Sequence, residues 1–174
     1  MHHLKYLRYV LTHKFWVFVY CCQFGIPLRG LVHDLSKFRP SEWFTMATYF
    51  YTKRRETEWF TLTAKYGVYE AAPWGTDIDD LYKVACKLHF NRNDHHWEHW
   101  VSLDNHQPFS VGMPLSARKE LLADWLAFAR TRNGNALAEY EKRKKTIILR
   151  QDDRDWIEEQ LQKHYQVKLI KIGA

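Results

Sequence analysis

The stretch YLRYVLTHKFWVFVY, residues 6–20, sets Tyr6, Val10, His13, Val17 and Tyr20 at spacings of three and four. That is the repeat of a helix with one buried face, not the alternation of a strand. It predicts a helix from about Leu4 to Gln23, stopped by Gly25 and Pro27 in FGIP. It also puts an imidazole, His13, where the stripe calls for an apolar side chain.

Working outward, helical spacing recurs and sustained period-two runs are missing. A short helix is expected over GLVHDLSKF, and Pro40 opens another to about Lys53, with Glu42 in its first turn where a carboxylate suits the helix dipole. A fourth covers roughly 56–66. Thr76 and Asp79 resemble a capping box that starts a helix reaching His89. DNHQPFSVGMP, 104–114, is expected as a loop, and a helix from about Leu115 to Arg130 ends before NGN with Gly134 as its C-cap. Two helices follow, at about 136–145 and 152–166, and then a tail. The expectation is all-α: one compact domain over 1–174 of about seven or eight helices.

Composition agrees. A chain of 174 residues, 46% hydrophobic and 16% aromatic, can bury a single core and leaves no room for long disorder. Only 7 Gly and 5 Pro break it, which favours long helices. The net charge of +6 suits an anionic substrate or a polyanion without choosing between them. Three cysteines, two of them adjacent, imply no disulfide framework and point to a reducing, cytoplasmic setting. FWVFVYCCQFGIPL, 15–28, is too short to span a bilayer and is interrupted by Gln23, Gly25 and Pro27, so no membrane segment is expected.

Two further stripes carry polar residues. One is Ile78, Tyr82, Ala85 and His89; the other is Leu121, Asp124, Trp125 and Phe128. A buried, unpaired carboxylate costs several kcal/mol, so Asp124 needs a cation, a histidine or a hydrogen-bond network; without a cation its pKa should be pushed up. HDLSKF supplies His33 and Asp34 side by side, and RNDHHWEHW, 92–100, supplies His95 and His96. His13, His33, Asp34, His89, His95, His96 and Asp124 are five imidazoles and two carboxylates, enough for two divalent ions about 3.5–4 Å apart. Taken singly, each has a plainer reading: a hydrogen-bonded core residue, a helix start at HD, or a wet loop at the histidine knot. His2, His3, His106 and His164 lack such company and are assigned to the surface.

The order H…HD…H…HH…D, with His13 about twenty residues before His33-Asp34, resembles the HD-domain superfamily of metal-dependent phosphohydrolases. HDLSKF is similar to its HDxGK form, with Ser36 where Gly is common. More closely, HDLSKFRPSEW, HFNRNDHHWEHW and MPLSARKELLADW resemble a small uncharacterised HD-like family of bacteria and phages, over roughly residues 4–130. The resemblance implies an HD-like bundle in which His13, His33, Asp34 and Asp124 hold one metal and His89, His95 and His96 a second, with Asp34 as the bridge. It also places Lys37 near a substrate phosphate. The metals would be manganese, iron, nickel or zinc.

The activity this implies is hydrolysis of a phosphate ester, with a nucleotide as substrate and Lys37, Arg39 or Arg92 to neutralise its phosphate. An alternative keeps the metals and changes the chemistry, since related HD-like folds with diiron centres activate dioxygen. A third treats RTRNGNALAEYEKRKKTIILR, 130–150, as a surface for nucleic acid or a protein partner. Glu139 and Glu141 interrupt that basic run, which favours a solvated helix.

Overall fold

The computed structural model describes residues 2–51 and 78–172, with side chains to 166. The helix expected over 56–66 and the Thr76 cap lie outside the described residues. Among those described, the chain is all-α apart from one hairpin. Helices α1 (His2–Gln23), α2 (Pro27–Val32) and α3 (Pro40–Tyr51) come first, with a 3-10 turn at Leu35–Phe38 before α3. Next are α4 (Ile78–Arg92), a 3-10 turn at Trp97–Trp100, and strands β1 (Val101–Asp104) and β2 (Gln107–Ser110). Helices α5 (Leu115–Thr131), α6 (Ala136–Arg143) and α7 (Gln151–Ile172) complete it.

Two compact units draw on alternating stretches, 1–12 with 34–93 and 13–33 with 94–174. In the first unit, Tyr6 and Val10 of α1 pack with Met46 and Ala47 of α3 and Ala85 of α4. In the second, Val17, Tyr20 and Cys21 of α1 join Ala117, Leu121, Leu122 and Leu126 of α5 and Ile157 and Leu161 of α7. The stripe that opened the analysis is thus buried along its whole length, His13 included at 2% exposure.

α1 stops where expected, with Gly25 at φ +72°. α2 then lies against α1 inside the second unit. A Cβ on Gly30 would sit 2.8 Å from the Cys21 Cβ and 2.9 Å from the Phe18 Cα, so only glycine permits the approach.

Four sequence expectations need correction. The helix expected over GLVHDLSKF breaks at His33-Asp34: His33 turns out of the helical region (ψ 129°) and ends α2, and Asp34 in a left-handed conformation (φ +54°) starts the 3-10 turn. The loop expected at 104–114 begins as an antiparallel hairpin, Val101 opposite Ser110 and Asp104 opposite Gln107. Asn105 and His106 both take positive φ, as a two-residue type I′ turn requires. The strands are four residues each and largely exposed, so no apolar alternation announced them. At the end of α5 the left-handed residue is Asn133, not Gly134, although the Gly134 N–H does close the helix on the Ala129 carbonyl at 2.7 Å. The expected C-terminal tail continues α7 to Ile172.

No helix among the described residues is long and apolar enough to cross a membrane. In the basic stretch 130–150, Lys142 pairs with Glu139 and Lys144 with Glu141, each at 2.7 Å, while Arg130 lies 3.7 Å over the Trp16 ring and Arg132 4.1 Å over the Phe128 ring.

The close approach at Gly30 makes a testable contrast. Gly30→Ala should destabilise the protein by about 1–3 kcal/mol in urea unfolding through overpacking. Gly134→Ala, whose Cβ would meet only ordinary contacts at 3.6 and 3.8 Å, should stay within about 0.5 kcal/mol. Equal effects would contradict the packing described.

Candidate metal centre

In the second unit, three elements converge on one carboxylate. α1 supplies His13, the residue after α2 is His33, and α5 supplies Asp124. His13 Nε2 lies 2.8 Å from Asp124 Oδ1, and His33 Nε2 lies 3.7 Å from the same oxygen. One donor atom from each residue falls within 4.8 Å of the others. Donors on a four-coordinate ion at 2.0–2.2 Å are about 3.3 Å apart, so the three need only small shifts to share one. Two imidazoles and a carboxylate suit zinc, manganese or iron, and three protein ligands leave positions open for water and substrate. The residues fit a metal.

The Asp124 side chain is 15% exposed. Burial opposes its charge, yet the hydrogen bond and charge of His13, with the charges of His33 and His95, hold its carboxyl well below the usual range. This reverses the upward shift expected from sequence: the imidazoles supply the positive partner that the apolar stripe did not reveal. The stripe itself is displaced, since Phe128 is exposed and the inner face runs through Ala117, Leu121, Leu122 and Leu126.

Glu120, one helical turn before Asp124, was not anticipated. It is 4% exposed, and its Oε1 faces His33 Nδ1 at 2.9 Å and His95 Nδ1 at 3.1 Å. Its Oε2 accepts from Arg29 Nε at 2.5 Å, and Arg29 Nη2 reaches Asp94 Oδ1 as well. Burial works against the Glu120 charge, but the hydrogen bonds and charges of His33 and His95 outweigh it and hold the carboxyl well below its ordinary value. The histidine knot is therefore no wet loop at its start. His95 is buried with its ring 4.3 Å from that of His33, and the Asp94 carbonyl accepts from Trp100 Nε1. His96 is half-buried, its ring 4.2 Å from that of His95, while His99 is exposed.

The first unit holds Asp34 and His89. Asp34 Oδ1 is 3.3 Å from His89 Nε2, and Asp34 Oδ2 pairs with Lys37 Nζ at 2.5 Å. His89 Nδ1 faces Glu42 Oε2 at 2.8 Å. Burial opposes protonation of His89, but the charge of Asp34 and the hydrogen bonds to Asp34 and Glu42 raise its pKa. Glu42, fully buried, is more than the dipole partner its position suggested. It accepts from Arg92 Nη1 at 2.6 Å and from Ser36 Oγ at 2.8 Å, and these with His89 lower its pKa against the cost of burial. Ser36 thus spends its hydroxyl on the carboxylate that orients His89. Arg39 is exposed, and of the histidines assigned to the surface His106 is exposed, while His2, His3 and His164 are half-buried.

Residues 2–163 match the model of a family of unknown function, DUF5662. The chain belongs to this family. No curated protein and no solved structure matches it.

Asp124 offers the direct test. Asp124→Asn keeps the size and removes the charge that His13 and His33 face, so the rise in melting temperature on adding Mn²⁺ or Zn²⁺ should largely disappear. His106→Ala, on the exposed hairpin turn, should keep it. An unchanged rise in Asp124→Asn would remove Asp124 from the ligand set.

Proposed function

We propose that the chain is a metal-dependent phosphohydrolase acting on a nucleotide or another phosphate ester. The observation that carries this reading is the buried convergence of His13, His33 and Asp124, two imidazoles and a carboxylate with their donor atoms within 4.8 Å. The resemblance of the order H…HD…H…HH…D to the HD-domain superfamily implies Asp34, His89, His95 and His96 as the remaining ligands of a two-metal site, with His33 and Asp34 as consecutive residues. When bound, such ions make water nucleophilic near neutral pH and offset charge on a phosphoryl group.

The chain's own residues supply the rest. Asp34 holds its position through a backbone conformation that few residue types tolerate, and its pairing with Lys37 sets an ammonium beside a ligand carboxylate, a suitable place to meet phosphate oxygens. Glu42 fixes His89 through Nδ1, which leaves Nε2 turned toward Asp34. The positive net charge draws anions in. The imidazole-rich donor set would serve a diiron oxygenase equally well, and that is the second reading.

Manganese- or iron-loaded protein should release phosphate from p-nitrophenyl phosphate or from a panel of nucleotides, and a chelator should stop it. Lys37→Ala should lower the rate about a hundredfold with metal content unchanged. No turnover across the panel with metal bound would overturn hydrolysis; oxygen consumption by the iron-loaded protein would then support the oxygenase.

A further inference from the structure

We propose that Glu120 is a positioning residue whose single oxygen fixes the ring orientation and tautomer of both His33 and His95, presenting them as a matched pair of Nε2 donors. This rests on the metal reading of the site but not on hydrolysis.

The argument is one of lone pairs and donors. A glutamate beside a guanidinium and two imidazoles is a carboxylate at neutral pH and can only accept hydrogen bonds. Oε1 faces His33 Nδ1 at 2.9 Å and His95 Nδ1 at 3.1 Å, so each of those nitrogens must carry the hydrogen. In a neutral ring the lone pair then lies on Nε2, the atom that His33 turns toward Asp124. An oxygen has two acceptor sites, and the two rings fill them. Oε2 is taken by Arg29 Nε, which stops the carboxylate from rotating.

The same guanidinium reaches Asp94, directly before His95 in the chain. Arg29 therefore holds both the carboxylate and the backbone that bears the second imidazole. The resemblance to the HD-domain superfamily implies that His33 and His95 hold different ions. The shared oxygen means that loss of Glu120 should disturb both at once, as two independent acceptors would not.

An amide cannot replace this carboxylate. Glutamine has one acceptor oxygen and one donor nitrogen, so Glu120→Gln either keeps the rings and confronts Arg29 with a second donor, or keeps Arg29 and turns its N–H groups on the rings. Outer-shell changes of this kind cost about 10–100-fold in metal affinity.

The test uses protein labelled with ¹⁵N at histidine, metal-free at pH 8, read by long-range ¹H–¹⁵N correlation, with Zn²⁺ and Mn²⁺ affinities measured on the same samples. The parent protein should show His33 and His95 both protonated on Nδ1. Glu120→Gln should lose that preference at both rings and bind metal about 10–100-fold more weakly. Glu158→Gln, which weakens the hydrogen bond from the Tyr140 hydroxyl (2.8 Å) elsewhere in the same unit, should alter stability without touching either readout. If either ring in the parent carries its hydrogen on Nε2, the proposal fails whether or not any variant folds. A folded Glu120→Gln protein with parental tautomers and affinity would overturn it too. Absence of turnover would count against hydrolysis alone.

Discussion

Asp34, Glu42 and Glu120 are buried carboxylates and Asp124 a half-buried one, and desolvation of each is costly unless a donor faces it. Both units meet that constraint in the same way. An inner carboxylate, Asp34 or Asp124, faces imidazole Nε2 atoms; an outer glutamate, Glu42 or Glu120, faces Nδ1 atoms and is itself held by an arginine. Arg92 serves Glu42 and Arg29 serves Glu120. Within each unit every one of these groups meets a polar partner, which is how such a cluster survives inside an apolar core.

The fold details are those needed to deliver these groups. Gly30 allows α2 to lie on α1, which sets Arg29 and His33 within the unit that contains His13 and Asp124. Non-helical His33 ends α2 and left-handed Asp34 opens the next turn, so that consecutive residues serve the two groups, His33 in one and Asp34 in the other. Glu120 and Asp124 share a face of α5 by the helical repeat alone.

The legible parts of this site are those whose polarity conflicts with their position. His13 and His89 interrupt apolar stripes and are buried; Asp124 follows the same logic, although the stripe Leu121, Asp124, Trp125 and Phe128 lies to one side of the inner face. Glu120 was missed because it sits in ARKELLADW among charged residues that read as a solvated helix side, yet its place four residues before Asp124 was an available signal. Glu42 had an adequate explanation at the start of a helix, and that concealed a second role. Direction of charge was the other failure. A stripe shows which apolar residues neighbour Asp124 along its own helix but not which imidazoles arrive from other helices, and those imidazoles reverse its pKa shift. The hairpin at 101–110 was illegible because short exposed strands carry no apolar code.

The central claim is that these buried imidazoles and carboxylates form a metal centre, not a hydrogen-bonded core. Elemental analysis of untagged protein, purified without chelator, tests it most directly. The account predicts about two transition-metal ions per chain, falling after exhaustive chelation and returning on addition of Mn²⁺, Fe²⁺, Ni²⁺ or Zn²⁺. A metal-free protein that takes up none of these at micromolar concentration would contradict it.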